Sequence, residues 1–356
     1  MKGLILAAGL GTRLRPITSL RPKPIIDVAN RPLIHYAVDN LLEVGVRDIG
    51  VVVSPDTRDD LKRTLAAYED RASFTFVVQD PPEGLAHAVK VARDFLAEDP
   101  FVMYLSDNLF EHGIAPFVEA FDPDAGVAAA LALVPVDDPR AFGVAELDGE
   151  RVVRLVEKPA DPPSNLAVAG VYVFDASVHE AIADLPRGAK DEFQITDAIQ
   201  RMIQDGRRVV AGTVDGWWKD TGTPEDILDA NRLVLSRSVR RIDGAVENAE
   251  IVGDVVVEEG AVVRNATIFG PALIAAGCRV EDAYVGPFTT LGADVTIRDA
   301  EIEYAVVGPG SSIHHLASRV QGSLVGAEVE ITRAGRRPRA HRLVVGDKSR
   351  LVLDTD

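Results

Sequence analysis

Short apolar runs alternate with segments of helical periodicity along the first part of the chain. Residues 3–8 form a continuous apolar run, which is typical of a strand buried on both faces and which ends in a glycine-rich turn. Residues 32–44 then place Leu33, Ala37 and Leu41 on one face of a helix, before a glycine that suits a helix end. This alternation predicts β-α-β units and a sheet with parallel strands.

The same rhythm predicts the later elements of a doubly wound α/β domain that ends around residue 238. The predicted strands are 49–54, 74–79, 101–105, 127–134, 144–147, 152–157 and 168–174, and the predicted helices are 57–68, 85–96, 194–204 and 225–235.

From about residue 244 apolar residues recur every six positions, with glycines between them. Ile251, Val257, Val263 and Phe269 form one such series, and Val285, Leu291 and Ile297 form another. A six-residue period with turn glycines predicts a β-helix over residues 244–356. An irregular β-sandwich is the alternative, because the repeats slip by one residue between positions 270 and 285.

Length and composition fit two domains of a globular protein. The chain has 356 residues, of which 47% are hydrophobic and 26% charged. No apolar segment is long enough to span a bilayer, no export signal is evident, and a single cysteine, Cys278, cannot form an internal disulfide. These features predict a cytoplasmic protein that does not associate with a membrane.

The charge pattern points to a small anionic ligand. The net charge of −17 disfavours binding to nucleic acid or to acidic membranes. The amino-terminal segment is nevertheless basic, because the first acidic residue is Asp27 and the residues before it include Lys2, Arg13, Arg15, Arg21 and Lys23. A solvated surface is the alternative reading of this asymmetry.

The turn after the first strand suits a phosphate group. It reads Ala8-Gly9-Leu10-Gly11-Thr12-Arg13, and its glycines allow close approach of the backbone to bound oxygen atoms. The turn matches neither a dinucleotide fingerprint nor a Walker loop. Arg13 can instead bind triphosphate oxygens with its fork of donors, and Lys23 can add a second cation.

Two aspartates are candidates for metal binding. Asp107 directly follows the buried strand 101–105, at the edge where open α/β sheets bind ligands. Asp220 follows two tryptophans that could wall the site. Two carboxylates and nucleotide phosphates are a usual ligand set for Mg²⁺, whereas a turn cap is the alternative for each aspartate alone.

Two further strand ends carry polar residues. Gln79 ends one strand and can pair with a base edge, while Gly84 would let a base lie against the backbone. Glu157 could accept hydrogen bonds from sugar hydroxyls, and Lys158 could hold a phosphate. An exposed ion pair in a hairpin is the alternative for the last two residues.

In this order, these segments resemble the glucose-1-phosphate thymidylyltransferase group of sugar nucleotidyltransferases, in its long form with a carboxyl-terminal left-handed β-helix. The resemblance covers nearly the whole chain. It is carried by the turn 6–14, Arg21-Pro22-Lys23, Gly84-Leu85-Ala86-His87-Ala88, Leu105-Ser106-Asp107-Asn108, Phe142-Gly143-Val144, Glu157-Lys158-Pro159, Ile195-Thr196-Asp197-Ala198 and Trp218-Lys219-Asp220-Thr221-Gly222.

The resemblance implies a Rossmann-like mixed sheet, two domains at 1–238 and 244–356, and transfer of a nucleotidyl group from dTTP, or next UTP, to glucose-1-phosphate. Small-molecule substrates, self-association and Mg²⁺ are implied with it. The implied nucleotide-binding residues are Ala8, Gly9, Gly11, Thr12, Arg13, Gln79 and Gly84, the sugar-phosphate residues are Gly143, Glu157, Lys158 and Tyr172, and the metal ligands are Asp107 and Asp220. Arg13, Lys23 and Lys158 would be the catalytic cations.

Three positions depart from the family pattern. Pro24 replaces the glutamine that often follows the lysine in thymidylyltransferases, and uridylyl- and guanylyltransferase relatives share this proline. Ser106 stands where a glycine usually precedes the metal aspartate, and Asp27 where a proline is usual. The base is therefore left open among dTTP, UTP and GTP.

Two other functions are compatible with the sequence. The β-helix could carry an acyltransferase site with His314 or His315 as its base, which would make the chain bifunctional. Alternatively, the first domain could be an inactive sensor of nucleotides or an assembly protein. The residues at 13, 23, 107 and 220 favour an active transferase over the second alternative.

Overall fold

The computed structural model describes residues 1–19, 21–188 and 191–333. Its contacts divide the chain into two compact units. The first comprises Met1–Leu10, Pro22–Ile25 and Leu33–Asp220, and the second comprises Gly11–Arg21, Ile26–Pro32 and the chain from Thr221. The boundaries at 238 and 244 stay predictions, and residues 334–356 of the predicted second domain lie outside the described residues.

Most of the elements predicted before residue 238 are present. In chain order, the strands up to residue 220 are β1 (Lys2–Leu6), β2 (Asp27–Val28), β3 (Arg31–Pro32), β4 (Asp48–Val53), β5 (Ser73–Val78), β6 (Phe101–Leu105), β7 (Asn108–Phe110), β8 (Val127–Pro135), β9 (Gly143–Asp148), β10 (Arg151–Glu157), β11 (Leu166–Phe174), β12 (Arg208–Thr213) and β13 (Trp218–Asp220). The helices are α1 (Leu33–Glu43), α2 (Arg58–Leu65), α3 (Leu85–Val91), α4 (Arg93–Leu96), α5 (Ala115–Glu119), α6 (Val178–Ala183), α7 (Ile195–Gln204) and α8 (Pro224–Leu235).

The first unit is built on a nine-stranded mixed sheet. Its strand order is β5-β4-β1-β6-β11-β8-β12-β10-β9. Strands β5, β4, β1 and β6 are parallel, whereas β11 runs antiparallel to both β6 and β8. Successive side chains of a strand point to opposite faces, so Leu4 packs in one hydrophobic core and Ile5 in the other. Burial on both faces explains why these strands read as continuous apolar runs, and the predicted Rossmann-like fold is confirmed.

The structure differs from the sequence prediction in several elements, among them α5, α6, β2 and β3, which were not predicted. The helix predicted over 85–96 is broken at Ala92 into α3 and α4. The short strands β7 and β13 and the longer β12 were not predicted, because three-residue strands are too short to show periodicity and Arg208–Thr213 ends in small and polar residues.

The second unit contains a left-handed parallel β-helix. Its strands are β14 (Arg241–Ile242), β15 (Ala245–Glu247), β16 (Glu250–Val252), β17 (Val255–Val257), β18 (Val262–Arg264), β19 (Thr267–Phe269), β20 (Ala272–Ile274), β21 (Arg279–Glu281), β22 (Tyr284–Val285), β23 (Thr289–Leu291), β24 (Thr296–Arg298), β25 (Glu301–Val307), β26 (Ser312–His314), β27 (Val320–Val325) and β28 (Glu330–Thr332).

From β15 to β24 one turn of this β-helix takes 17 residues rather than three repeats of six, because Val263 pairs with Val280, and Val280 pairs with Ile297. The next two turns take 16 and 18 residues, since Ile297 pairs with Ile313 and Ile313 with Ile331. One side of each 17-residue turn is therefore a residue short, which produces the slip noticed in the sequence. As a result Ile268 is buried in the β-helix core, and Phe269, which the six-residue series placed there, points outward and packs against Tyr284 with ring centroids 5.8 Å apart.

Helix α8 is anchored within the second unit by a buried asparagine. Thr223 and Asp226 form a capping box at its amino terminus. The Asn231 side-chain oxygen accepts hydrogen bonds from the Ala29 amide (2.9 Å) and the Thr290 hydroxyl (2.8 Å), and its amide donates to the Phe288 carbonyl (3.1 Å). A single side chain thus joins α8 to the hairpin β2–β3 and to the β-helix.

Two further features of the described residues are the length of the helices and the surroundings of the single cysteine. No helix among these residues is long and apolar enough to cross a bilayer. Cys278 is buried in the β-helix core, its thiol donates to the Gly292 carbonyl (3.0 Å), and burial raises its pKa to about 12. A thiol that stays protonated is a poor nucleophile.

The 17-residue turn predicts unequal costs for two adjacent substitutions. Ile268→Ala should lower the free energy of unfolding by about 2–5 kcal/mol, because it leaves a cavity in the β-helix core. Phe269→Ala should cost less, since the ring is only half-buried. Thermal and denaturant unfolding of both variants measure the difference. A larger loss for Phe269→Ala would contradict the assigned register.

Candidate functional site

Several predicted site residues of the first unit lie at one edge of its sheet. Ala8 and Gly9 follow β1, Gln79 follows β5, and Asp107 comes two residues after β6. Because these strands are parallel, their carboxyl ends meet at the same edge, where open α/β sheets bind ligands. Ala8 is buried, whereas a Cβ atom added at Gly9 would meet no atom within 4 Å, so the turn is open at that point.

The two predicted metal ligands are brought together by a pair of short strands. Strand β13 runs antiparallel to β7 and places Asp220 opposite Asn108, the neighbour of Asp107. The ammonium group of Lys23 donates a hydrogen bond to Asp107 Oδ2 and lies 3.9 Å from Asp220 Oδ1. The Lys23 side chain is only 10% exposed. A cation therefore already occupies the space beside these two carboxylates.

The composition of this cluster limits how it can hold a metal ion. Among the residues that the structure describes, no group of three or more His, Cys, Asp or Glu side chains is arranged for metal binding. Asp107 and Asp220 would supply two carboxylate ligands, and the remaining positions would belong to a ligand or to water. This donor set fits Mg²⁺ bound together with phosphate oxygens.

A buried amide orients Asp107. The Asn108 Nδ2 donates to Asp107 Oδ1 (2.8 Å), and the Asn108 Oδ1 accepts from the Trp218 indole nitrogen (2.7 Å). Gly170 has a φ of +72°, and a Cβ atom there would lie 2.7 Å from the Asn108 amide. Asn108 and Gly170 have no predicted role, because nothing in their spacing along the chain shows that they meet Trp218.

The predicted sugar-phosphate residues Gly143 and Glu157 face each other across β9 and β10. The Glu157 Oε2 accepts a hydrogen bond from the Thr196 hydroxyl (3.0 Å), and its Oε1 accepts one from the Lys158 ammonium. A Cβ atom at Gly143 would lie 2.6 Å from the Thr196 methyl group. Thr196, which had no predicted role of its own, thus fixes one oxygen of Glu157 and leaves no room for a side chain at Gly143.

The charge of Glu157 also affects its neighbours. Burial, and then the Glu157 carboxylate, raise the pKa of Asp197. The same two causes, in the same order, raise the pKa of the Tyr172 phenol well above its usual range. Tyr172 is buried in the sheet and stacks on Phe174 with centroids 5.9 Å apart, so it offers a neutral phenol beside Glu157.

The predicted base-binding residues form a compact hydrogen-bonded group. The buried Gln79 donates from Nε2 to the Gly84 carbonyl (3.0 Å), and the same nitrogen lies 3.2 Å from His87 Nδ1. Gly84 has a φ of +106°, and a Cβ atom there would lie 2.6 Å from the Phe193 carbonyl oxygen. The protein backbone by itself therefore requires glycine at this position.

The rest of the predicted phosphate turn lies in the second unit. Gly11 has a left-handed φ of 58°, and its carbonyl accepts from the Thr18 hydroxyl (2.8 Å). Thr12 and Arg13 are exposed in the 3₁₀ turn Thr12–Leu14, which Leu14 anchors by burial. A Cβ atom at Gly222 would lie 3.0 Å from the Arg13 guanidinium, so a glycine makes room for this cation.

A mixed α/β sheet with paired carboxylates and a buried lysine at its carboxyl edge is the architecture of an enzyme that acts on phosphorylated nucleotides. The nucleotidyl transferase family model matches residues 2–237. The chain belongs to this family and is a nucleotidyltransferase.

Three relatives match over most of the chain. The glucose-1-phosphate thymidylyltransferase of Streptomyces griseus is 45% identical over 100% of both chains. The low-salt glycan biosynthesis nucleotidyltransferase Agl11 of Haloferax volcanii is 44% identical over 99% of this chain and 100% of its own. The bifunctional protein GlmU of Methanocaldococcus jannaschii is 35% identical over 92% of this chain and 78% of its own.

Two solved structures support the fold of the catalytic part. A Bacillus anthracis protein provisionally described as a glucose-1-phosphate thymidylyltransferase, in complex with sucrose, superimposes with a TM-score of 0.62 at 36% identity and covers 68% of this chain and 97% of its own. A UDP-glucose pyrophosphorylase in complex with UDP-glucose gives 0.60 at 27% identity, and covers 66% and 98%.

The Asn108 hydrogen bonds predict that one tryptophan matters through its indole nitrogen. Trp218→Phe keeps a ring but removes the donor to Asn108 and to the Ala169 carbonyl (3.1 Å). It should lower the free energy of unfolding by about 1–3 kcal/mol and lower turnover, because a buried acceptor loses its partner and Asp107 loses its orientation. Trp217→Phe is the matched control and should cost less in both thermal unfolding and pyrophosphate release. Equal effects of the two substitutions would contradict this role.

Proposed function

We propose that the chain transfers a nucleotidyl group from a nucleoside triphosphate to glucose-1-phosphate and releases pyrophosphate. The observation that carries this proposal is the cluster of Lys23, Asp107 and Asp220 at the carboxyl edge of the sheet, with Glu157 and Lys158 in the same unit. The full-length match to the Streptomyces griseus glucose-1-phosphate thymidylyltransferase supports the choice of sugar phosphate.

Asp107 and Asp220 would hold Mg²⁺. Their fit is supported by the Lys23 ammonium, which shows that the pair accommodates a positive charge, and by the hard oxygen donors that Mg²⁺ prefers. When bound, the metal would neutralise charge on the phosphate oxygens. Asn108 would keep Asp107 in the orientation needed to bind it.

Lys23 and Arg13 would neutralise the triphosphate. Lys23 is held in the 3₁₀ turn Lys23–Ile25, where burial leaves its ammonium few positions to occupy. Arg13 presents an exposed guanidinium after the left-handed Gly11, and a planar fork of donors suits two phosphate oxygens at once. Gly9, Gly11 and Thr12 would supply backbone and hydroxyl donors to the same phosphates.

Glu157 and Lys158 would position the sugar phosphate. Thr196 fixes one Glu157 oxygen, and a sugar hydroxyl would replace the Lys158 ammonium at the other. Lys158 would then be available to bind the phosphate, since its side chain is 41% exposed. The amide of Gly143 and the neutral Tyr172 would complete this part of the site.

The reaction would be an in-line displacement. A phosphate oxygen of the sugar attacks the α-phosphorus and forms the new P–O bond, and the bond to the β-phosphate oxygen breaks. Pyrophosphate leaves with that electron pair. Such a transfer depends on alignment and on neutralisation of charge rather than on a covalent enzyme intermediate, which agrees with a site of cations and fixed carboxylates.

For the base, we propose dTTP as the preferred substrate and UTP as the next. Gln79 and Gly84 would hold the base at the end of β5. Pro24 and Ser106, which depart from the thymidylyltransferase pattern, are both buried. Because they adjoin Lys23 and Asp107 in the sequence, they would affect the choice of base through the residues around them.

The β-helix would serve packing and self-association. The acyltransferase alternative relied on His314 and His315, and His315 Nδ1 lies 3.0 Å from Asp299 on an exposed turn. That contact is between two exposed side chains, so it does not favour a second catalytic site.

Removal of one metal ligand should abolish most turnover. Asp107→Ala should lower kcat at least about 100-fold, because it removes a carboxylate from the metal and leaves Lys23 without its hydrogen-bond partner. Asp48→Ala, at the opposite end of a strand in the same sheet, is the control and should keep near-normal turnover. Pyrophosphate release and thermal unfolding measure the two effects. Near-normal turnover of Asp107→Ala would remove this residue from the metal site.

A panel of nucleotides tests the reaction and the base. Pyrophosphate release with glucose-1-phosphate should be highest with dTTP, followed by UTP, and should stop when a chelator removes divalent metal and resume when Mg²⁺ is added. Activity with ATP alone would contradict the base assignment. The lack of pyrophosphate release with all five of dTTP, UTP, GTP, ATP and CTP would contradict the proposed function.

A further inference from the structure

The orientation of the Gln79 amide is determined by its neighbours. Its side chain contacts the Gly84 carbonyl at 3.0 Å, and a carbonyl oxygen can only accept a hydrogen bond. The group that faces Gly84 must therefore be the NH₂ of Gln79 and cannot be its oxygen. Hydrogen-bond chemistry thus sets which end of the Gln79 amide faces Gly84.

His87 uses the second hydrogen of the same NH₂ group. Its Nδ1 lies 3.2 Å from Gln79 Nε2, so Nδ1 must be the unprotonated acceptor and the ring proton must sit on Nε2. His87 Nε2 lies 3.8 Å from a carboxylate oxygen of Glu83. The Glu83 carboxylate also pairs with Arg187, and that hydrogen bond lowers the pKa of Glu83. The negative charge beside Nε2 favours the tautomer that Gln79 needs.

Both N–H groups of Gln79 are therefore committed within the protein. Its other polar atom, Oε1, makes no side-chain hydrogen bond within the described part of the chain. This oxygen is not fully buried. Gln79 directly follows β5 at the ligand edge of the sheet. Toward a ligand, this residue can offer an acceptor but not a donor.

We infer that His87 is a positioning residue for base specificity: it holds Gln79 so that the site selects a base with a ring N–H. This inference rests on the proposed function and on base contact by Gln79. Thymine and uracil carry a hydrogen on N3, which Gln79 Oε1 would accept. Cytosine has an unprotonated N3, whose lone pair would face the lone pairs of Oε1, and the amide cannot rotate to donate without losing two hydrogen bonds.

The ratio of kcat/KM for dTTP to that for dCTP tests the inference. In His87→Phe the ring that faces Phe193 is kept but the acceptor is lost, so the Gln79 amide keeps only one of its two hydrogen bonds, the one to the Gly84 carbonyl, and rotates at a lower cost. The ratio should fall about tenfold or more. His87→Gln restores an acceptor at this position and should recover most of the ratio. His179→Phe replaces a half-buried histidine of α6, outside this group, and should leave the ratio unchanged.

The outcomes separate this inference from the proposed function. If the wild-type chain turns over dTTP but the ratio is the same in His87→Phe and in the wild type, the inference is wrong and the function stands. If the wild-type chain turns over no nucleotide, the proposed function itself fails. A measurement without any variant guards against misfolding: wild-type kcat/KM should be far higher for dTTP than for dCTP, and equal values would overturn the inference.

Discussion

The ion cluster of Lys23, Asp107 and Asp220 is the constraint on which the first unit depends. A lysine that is nearly buried is costly unless carboxylates and hydrogen bonds surround it. That requirement fixes two segments distant in sequence, the turn after β6 and the strand β13, on the two sides of one ammonium group. The same arrangement concentrates positive charge and carboxylates at the carboxyl edge of the sheet, in a chain whose net charge is −17.

The charged and polar side chains of the first unit share a pattern of support. Each functional group is held by a polar neighbour: Asp107 by the buried Asn108, Glu157 by the buried Thr196, and Gln79 by the half-buried His87. A glycine lies close to each of these pairs, at positions 170, 143 and 84. A Cβ atom there would collide with Asn108, Thr196 and Phe193, respectively. Gly84 and Gly143, which were predicted to serve a ligand, thus also serve the packing that orients the ligand-binding groups.

The β-helix follows a different principle, in which a repeated turn builds its own core. Its 17-residue turns stack apolar side chains such as Ile268 and Val285 above one another. Asn231 ties α8 to this stack through hydrogen bonds with its own unit. Backbone hydrogen bonds between the strands of successive turns hold the β-helix together, and its apolar core needs no ion pair.

The sequence alone predicted the fold class, most strands and helices of the first unit, and which charged residues belong to the candidate site. Buried parallel strands and phosphate turns leave strong local patterns, which makes such predictions possible. Only the tertiary structure decided which groups meet. The pairing of Asp220 with the Asp107 turn through two three-residue strands, and the orientation of Gln79 by His87, depend on distant or lateral contacts. Local periodicity carries no information about them. The 17-residue length of the central β-helix turns likewise becomes visible only when Val263 is seen to lie against Val280.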